Sequence, residues 1–375
     1  MLYLDNAATS FKKPLCVYQA IIKHSLATSV NAGHGGHDLS LKGMGKIIEA
    51  SEAVADLFHI ADPQRIAFLP NATYGLNMAI AGLAGAEDHI IVTQMDHNSV
   101  LRPAHQNTQY TVVAADAEGF VRPQDIEKAV RSNTKLIVCT HVSNVCGSIQ
   151  PIREISKIAK KHHIPFLLDA AQSAGCLHID VKQLGVDLLA FSGHKGLMGP
   201  LGTGGLYVGE NIRLRPLISG GTGSMSESLS QPSYMPDMLH SGTMNTPGII
   251  ALGEGARFIK QHDPQTIGAQ ERYLAESLIS EIKNMNEVKV YGKDYGDLRN
   301  GTVAFNIGKQ ESGRVAELLN DDHRIAVRGG WHCAPLAHKA LGTEETGTVR
   351  ASFGFFNTLR DKDRLVDAIY QISKG

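Results

Sequence analysis

Short apolar runs alternate with stretches of helical apolar spacing between residues 65 and 195. The apolar runs are typical of buried strands, and the segments between them carry apolar residues at the spacing of one helix face. The predicted strands cover residues 65–69, 90–93, 110–113, 135–140, 164–169 and 186–190. Strands that alternate with helices in this way predict an α/β fold built on a mainly parallel, doubly wound sheet.

The pattern changes on both sides of this region. Helices are predicted at about 14–27 and 39–60, and a long helix at 267–282 precedes strands at 288–290 and 302–307 and a helix after residue 360. We predict a large domain of residues 13–255. A smaller α/β domain is predicted to combine residues 1–12 with residues 256–375.

Composition excludes several kinds of partner. The chain has 375 residues, 43% of them hydrophobic, and a formal net charge of -1, so it offers no basic surface typical of nucleic-acid binding. No apolar run approaches the ~18 residues of a membrane span, and the N-terminus lacks a basic segment followed by an apolar one. We therefore expect a cytoplasmic protein that binds neither nucleic acid nor membrane.

The cysteines and histidines do not indicate a metal site. The five cysteines are odd in number and lack Cys-x-x-Cys spacing, which argues against a disulfide framework and against zinc. Cys139 lies within an apolar strand and is expected in the core. His34 and His37 lie in a glycine-rich loop without a third ligand, and no His-x-x-x-His pair with a third ligand occurs, so a metal hydrolase is disfavoured.

The run at 186–190 continues into Ser192-Gly193-His194-Lys195-Gly196. A lysine at the carboxyl end of a buried strand stands where open α/β sheets bind their ligands. Burial or a neighbouring cation such as His194 lowers the pKa of an amine and makes it a nucleophile for carbonyl carbons. Lys195 is therefore a candidate Schiff-base lysine, although a lone lysine is more often an ordinary surface residue.

Asp169 ends the preceding predicted strand. A buried carboxylate there can bind the protonated pyridine nitrogen of pyridoxal 5'-phosphate (PLP), or it can cap the next helix. Ala72 and Thr73 follow an earlier strand at a predicted helix N-terminus, which suits an anion such as a phosphate or is simply a capped helix. His97 follows another strand, where a lone histidine is more often an ordinary polar residue.

Two residues near the C-terminus suggest substrate chemistry. Cys333 lies in a glycine-containing loop beside His332, and a cationic neighbour lowers the pKa of a thiol. Cys333 is a candidate thiolate nucleophile, with a small buried hydrophobic residue as the alternative. Arg350 alternates with apolar neighbours, and a guanidinium can bind a carboxylate through two parallel hydrogen bonds, unless it faces solvent.

Together these motifs resemble the group II, short-loop cysteine desulfurases, which are class V aminotransferase-fold PLP enzymes related to selenocysteine lyases. The likeness runs from residues 3–9 to residues 349–358, and no long insertion occurs between Arg328 and Arg350. It implies a PLP-dependent transferase of fold type I, with a seven-stranded type of sheet in the large domain. The smaller domain would carry the catalytic cysteine loop.

The resemblance implies PLP as cofactor and assigns its contacts. His97 would stack on the ring, Gln172 would bind the phenolic oxygen, and Thr243 would reach the phosphate of a neighbouring subunit in a homodimer. The cofactor set comprises Lys195, Asp169, Gln172, His97, Ala72, Thr73, Ser192, His194 and Thr243. The catalytic set is Lys195, Cys333 and His97, and the set for the substrate is Arg350, Asn144 and Asn31. Family members often carry arginine where His34 stands.

The implied reaction converts L-cysteine to L-alanine and leaves a persulfide on Cys333, from which sulfur passes to an acceptor protein or thiol. A selenocysteine lyase acting on L-selenocysteine would use the same cofactor. A class V aminotransferase would consume a keto acid and would need no loop cysteine. A PLP-fold sulfur carrier or scaffold would show cofactor absorbance without turnover.

Overall fold

The computed structural model describes residues 1–27, 29–32, 35–294 and 296–374. His34, which the sequence singled out, lies outside the described residues. The helices are α1 (Leu15–Ala27), α2 (Asp38–Phe58), α3 (Ala72–Leu83), α4 (Asn98–Asn107), α5 (Pro123–Lys128), α6 (Ile152–Lys161), α7 (Val181–Leu184), α8 (Thr246–His262), α9 (Pro264–Ile282), α10 (Ser312–Asp321), α11 (Pro335–Leu341) and α12 (Leu359–Lys374).

The strands form three sheets. They are β1 (Leu2–Tyr3), β2 (Ile66–Leu69), β3 (His89–Thr93), β4 (Gln109–Val113), β5 (Thr134–Thr140), β6 (Phe166–Asp169), β7 (Leu188–Ser192), β8 (Gly204–Val208), β9 (Val288–Tyr291), β10 (Thr302–Ile307), β11 (Ile325–Ala326), β12 (Arg328–Gly330) and β13 (Thr348–Ser352).

The largest sheet has seven strands in the order β2-β8-β7-β6-β5-β3-β4. Neighbouring strands from β7 through β4 run parallel, and β8 runs antiparallel to β7 and β2. Strands β2, β3, β6 and β7 are buried along their whole length, and β5 is buried except at Lys135. A sheet covered on both faces makes each strand a continuous apolar run, which is the pattern seen in the sequence. The predicted α/β fold with a mainly parallel seven-stranded sheet is confirmed.

The C-terminal part contains a four-stranded antiparallel sheet in the order β12-β13-β10-β9. The N-terminal strand β1 pairs in parallel with β11, where Leu2 stands opposite Ile325. Leu4 packs in the same apolar cluster as Phe305 and Leu365. The N-terminal segment therefore belongs structurally with the C-terminal elements.

Helix α8 packs against α1 and α2, beside the seven-stranded sheet. The predicted boundary between residues 255 and 256 falls inside this helix, and the division into two domains stays a prediction. None of the helices in the described part of the chain has the length and apolar character required to cross a bilayer. The cytoplasmic location also stays a prediction.

Candidate active site

Lys195 and Asp169 meet at the carboxyl edge of the large sheet, because β6 and β7 are parallel neighbours that end there. The Asp169 carboxylate is buried, and its Oδ1 accepts a hydrogen bond from Ala171 N at 2.9 Å. Burial lowers the pKa of Lys195 to about 8, against the opposing effect of Asp169. Burial raises the pKa of Asp169, and the Lys195 charge opposes that shift. The two predicted residues are therefore electrostatic partners.

The loop after β6 packs tightly against the lysine turn. Gly175 has a φ of 95°, and a Cβ placed there would lie 2.2 Å from the Gly196 carbonyl oxygen. Only glycine combines that backbone conformation with that close approach. This contact fixes the turn of Lys195 relative to the loop that follows Asp169.

The N-terminal segment holds the backbone of the same turn. The His194 carbonyl accepts hydrogen bonds from Thr9 Oγ1 at 3.0 Å and Lys13 Nζ at 2.9 Å. The Ser10 hydroxyl donates to the Lys195 carbonyl at 2.9 Å. Residues of the N-terminal segment thus position the candidate Schiff-base lysine, which lies far away in the sequence.

Gln172 and two further predicted cofactor residues lie near this turn. Gln172 Nε2 donates to the Ala7 carbonyl at 3.0 Å, so Gln172 also contacts the N-terminal segment. Ser192 is buried at the end of β7. The His194 Nδ1 atom is buried and has no hydrogen-bond partner among the described residues, and burial lowers the pKa of His194 to about 4.

His97 stands at the N-terminus of α4, where its Nδ1 accepts a hydrogen bond from Ser99 N at 3.0 Å. Burial, followed by the charge of Lys195, lowers the pKa of His97 to about 4. The ring is therefore neutral at neutral pH, with its proton on Nε2. A flat neutral ring is compatible with the stacking role predicted for His97.

Asp96 is a positioning residue that the sequence reasoning missed. Its carboxylate accepts backbone hydrogen bonds from Thr93 and Thr140, both at 2.6 Å, and so joins the ends of β3 and β5. Burial raises the pKa of Asp96 to about 7. The signal available in the sequence was an acidic residue three positions after the end of an apolar strand.

The predicted phosphate corner is the N-terminus of α3. Asn71 caps this helix, since its Oδ1 accepts a hydrogen bond from Tyr74 N at 3.2 Å. Ala72 is buried and Thr73 is exposed in the first turn. First-turn N–H groups of a helix attract anions, which agrees with the role predicted for both residues.

Arg350 lies in β13 and is almost fully buried. Its Nη1 donates to the Asn144 carbonyl at 2.9 Å, and its Nη2 donates to Asp5 Oδ1 at 2.6 Å. Its Nε is buried without a hydrogen-bond partner in the described part of the chain. Burial lowers the pKa of Arg350, and Asp5 opposes that shift. The Nε atom of Arg350 is thus a donor available for a ligand.

The Cys333 loop is attached at two points. Asn144 Nδ2 donates to the His332 carbonyl at 2.7 Å, and Asn98 N donates to the Cys333 carbonyl at 2.8 Å. Asn144 therefore contacts both Arg350 and this loop. The contact with Asn98 links the loop to the helix that begins after His97.

Cys333 is an exposed free thiol, so the alternative of a buried small hydrophobic residue is wrong. Its Sγ lies 3.6 Å from Nη2 of Arg328. His332 and Cys333 both adopt left-handed backbone conformations, with φ of 47° and 59°. Such conformations are unusual for residues other than glycine and are frequent at functional sites.

The expectation that His332 provides the cation beside Cys333 is wrong. His332 is buried, and its Nε2 donates to the Thr348 carbonyl at 2.9 Å. Burial, followed by the charge of Arg350, lowers the pKa of His332 to about 2, so the ring is neutral. The cation in contact with the sulfur is Arg328, which the register of β12 and β13 places opposite Arg350.

Two predicted residues lie apart from these contacts. Asn31 is exposed, and its carbonyl accepts a hydrogen bond from Ser40 Oγ at 2.9 Å. Thr243 is exposed and lines a surface cavity together with Pro70 and Tyr74, next to the start of α3. Within the described residues, no hydrogen bond joins Asn31 or Thr243 to the other predicted site residues, and their roles stay predictions.

The chain belongs to the class-V aminotransferase family, whose sequence model matches residues 2–365. A probable cysteine desulfurase of Methanothermobacter thermautotrophicus is 34% identical, over 99% of this chain and 94% of that protein. A probable cysteine desulfurase of Pyrococcus abyssi is 35% identical, over 100% of this chain and 95% of that protein. Within the class-V family, the chain therefore belongs with the cysteine desulfurases, and the resemblance seen in its motifs is confirmed.

Solved structures agree with this placement. The apo structure of a cysteine desulfurase from Thermococcus onnurineus NA1 has a TM-score of 0.91 and 36% identity, and the match covers 100% of this chain and 95% of that one. The S-sulfonic acid form of an Escherichia coli cysteine desulfurase has a TM-score of 0.87 and 26% identity. That match covers 99% of this chain and 94% of the Escherichia coli chain. The family is PLP-dependent.

Proposed function

We propose that this chain is a PLP-dependent cysteine desulfurase that converts L-cysteine to L-alanine and takes up the sulfur as a persulfide on Cys333. The observation that carries the proposal is the position of the Cys333 thiol. It is exposed, contacts Arg328, and lies on a loop tied through Asn144 to Arg350. The membership in the cysteine desulfurases supports the same reaction.

The residues present fit PLP. The buried Asp169 carboxylate suits a protonated pyridine nitrogen, and Lys195 provides an amine whose pKa of about 8 favours reaction with an aldehyde. The first turn of α3, at Ala72 and Thr73, suits the phosphate. When bound, PLP withdraws electrons from the amino acid attached to it and so makes its Cα proton acidic.

Arg350 would bind the substrate carboxylate. Its Nε is a buried donor without a partner among the described residues, and a buried unpaired donor is costly. A carboxylate oxygen at this atom would satisfy it, with Nη2 on the same edge of the guanidinium as a second donor. Asn144 holds the guanidinium from the opposite side through its carbonyl.

Lys195 would move the proton. An amine with a pKa of about 8 can take up a proton at Nζ and release it again near neutral pH. Nζ would accept the Cα proton of the substrate. His97 remains neutral and holds its own proton on Nε2 throughout, because burial and nearby positive charges disfavour its protonation.

Cys333 would accept the sulfur. Its Sγ, as a thiolate beside Arg328, forms a bond to the substrate sulfur while the substrate Cβ–S bond breaks. The electron pair of that bond remains with the carbon skeleton, which takes up protons and leaves as alanine. The sulfur stays on Cys333 as a persulfide, and its exposed position supports transfer to an acceptor protein or thiol.

A homodimer belongs to the same proposal. Thr243 is exposed at the surface in front of α8, where a hydroxyl is free to reach a neighbouring subunit. Its predicted target is the phosphate corner of that neighbour. Sedimentation of the PLP-loaded protein measures the subunit number directly.

Mass spectrometry tests the reaction. The PLP-loaded protein is incubated with L-cysteine, and we expect equal amounts of alanine and of persulfide on Cys333 in the first turnover. Cys333→Ala should stop both, while Cys16→Ala, which removes a cysteine of α1, should change neither. Sulfide release by Cys333→Ala at the parent rate without added reductant would refute the assignment of the nucleophile.

A further inference from the structure

Arg350, the proposed site of the substrate carboxylate, already has a carboxylate partner within the chain. Asp5 Oδ1 accepts its hydrogen bond from Arg350 Nη2 at 2.6 Å. The Arg350 side chain is 1% exposed and that of Asp5 is 20% exposed. The buried positive charge is therefore neutralised before any substrate arrives, as a buried guanidinium requires.

The backbone holds Asp5 in this position. Its carbonyl accepts hydrogen bonds from Tyr3 Oη at 3.1 Å and from Ala8 N at 3.0 Å. Asp5 also forms a β-bridge with Ser352, two residues beyond Arg350 in β13. These contacts fix the Asp5 backbone independently of its carboxylate, so the charge can be removed without removing the turn.

The site offers more positive charge than Asp5 alone neutralises. Arg328 stands opposite Arg350 in the β12–β13 register, and the positive charge of Arg328 further lowers the pKa of Arg350. Asp5 is near enough to Lys195 to raise the pKa of that amine. The Asp5 carboxylate thus lies among the groups that would receive an amino acid, and two carboxylates at one guanidinium repel each other.

We propose that Asp5 is a positioning residue that serves as the counter-ion of Arg350 and competes there with the carboxylate of every ligand. The inference rests on the proposed role of Arg350 in substrate binding. In the absence of ligand, Asp5 keeps the guanidinium charged and oriented. When a carboxylate binds, it meets a partly neutralised arginine, so Asp5 weakens its affinity.

Removing the charge of Asp5 should therefore change stability and affinity in opposite directions. Asp5→Asn should lower the thermal stability of the ligand-free protein, because Arg350 loses its buried counter-ion. The same change should tighten the binding of propionate, a plain carboxylate probe, by about 5-fold, which is the effect of one partly screened charge. A residue with only a structural role would lower stability and affinity together.

Calorimetric titration with sodium propionate at fixed ionic strength measures the affinity of the PLP-loaded protein. The matched control is Asp297→Asn, which breaks an Asp–Arg pair with Arg272 where the aspartate is 92% exposed. We expect tighter binding for Asp5→Asn and unchanged binding for Asp297→Asn. Propionate binding by Asp5→Asn that equals or falls below that of the parent protein would overturn the inference.

Two further variants of Asp5 keep the test decisive. Asp5→Ser replaces Asp5→Asn if the latter does not fold, with the same expected gain in affinity. Asp5→Glu retains a carboxylate and should keep the parent affinity, and a gain in that variant would contradict the competition.

Arg350→Gln separates this inference from the proposed function. Proteins that carry this substitution, alone or together with a change of Asp5, should bind no propionate. Binding that persists would place the carboxylate site elsewhere and refute the role of Arg350. If the parent protein forms alanine and persulfide normally but Asp5→Asn does not bind propionate more tightly than the parent protein, the inference about Asp5 is overturned and the proposed function is not.

Discussion

Lys195, His97 and His332 all lie where burial disfavours a positive charge. Burial is the first cause of the lowered pKa of each of them, and neighbouring cations lower it further, whereas Asp169 opposes the shift at Lys195. The two histidines are therefore neutral at neutral pH, while Lys195 titrates close to it. Arg350 and Arg328 remain as the permanent positive charges around Cys333, because a guanidinium stays protonated even when it is buried.

The pKa of Lys195 predicts how fast the cofactor-free protein takes up PLP. Only the neutral amine attacks an aldehyde, and the folded chain lowers this pKa from 10.5 to about 8. The association rate should rise with pH and pass its midpoint near pH 8. Stopped-flow absorbance between pH 6.5 and 9.5 measures it, with Lys195→Ala as the control that forms no visible band. A rate that does not change across this range would contradict the lowered pKa.

Arg328 is predicted to control the reactivity of Cys333. A guanidinium 3.6 Å from the sulfur stabilises the negative charge that the sulfur carries as it attacks an electrophile. Arg328→Gln should slow the alkylation of Cys333 by iodoacetamide at pH 7 by about 3- to 10-fold. Arg314→Gln is the control, since Arg314 is exposed and pairs with Glu317 on α10. Equal alkylation rates in both variants would show that the 3.6 Å contact has no effect on the thiol.

At the scale of the elements, the sequence predicts the large sheet well because most of its strands, unlike the edge strand β4, are buried on both faces. The same logic fails for β12, where Arg328–Gly330 contains two glycines and forms a strand only because β13 lies beside it. Helices α10 and α11 are short and were not predicted. Lys195, Cys333 and Arg350 were found from local motifs, since each stands out among its sequence neighbours.

Contacts between distant parts of the chain could not be predicted in this way. The pairs Asp5–Arg350 and Arg328–Cys333 depend on how β1, β12 and β13 come together, and neither pair has a local sequence pattern. The error over His332 has the same origin. Its position next to Cys333 in sequence suggested a cation, whereas the fold buries its ring against Thr348.

Gly175 tests the packing between the loop after β6 and the lysine turn. Gly175→Ala places a Cβ 2.2 Å from the Gly196 oxygen at a φ of 95°, so the backbone must shift. We expect a loss of at least about 2 kcal/mol in the free energy of unfolding and weaker PLP binding. Urea unfolding measures the former and PLP absorbance the latter.

Gly45→Ala is the matched control for that substitution. Gly45 lies inside α2, and a Cβ there meets nothing within 4 Å. Alanine in an open helical position should raise the free energy of unfolding by about 0.5–1 kcal/mol. Equal free energies of unfolding for the two variants would mean that the backbone at residue 175 accommodates a Cβ beside the Gly196 oxygen without cost.

At the scale of the whole molecule, the N-terminal segment and the C-terminal elements enclose a cavity of about 170 Å³ that reaches Lys195. Glu271 of α9 lines this cavity, and burial raises the pKa of its carboxyl to about 8. The folded protein therefore holds a proton on Glu271 that the unfolded chain releases near its ordinary pKa of 4.5. Stability connected with this proton is present at acidic pH and is lost as the pH rises to about 8.

Glu271→Gln should remove this part of the pH dependence. Relative to the variant, the free energy of unfolding of the parent protein should fall between pH 4.5 and 8, by about 4 kcal/mol at most. Urea unfolding at several pH values gives both curves. Parallel curves for the two proteins would show that Glu271 is ionised in the folded state.

The attachment of the Cys333 loop has a consequence for delivery. Hydrogen bonds from Asn98 and Asn144 hold the loop backbone in place, while Cys333 itself is exposed. A short loop held in this way cannot carry a persulfide sulfur on Cys333 away from the protein surface. In the proposed reaction, the sulfur acceptor would therefore have to bring its own reactive atom to the surface around Cys333.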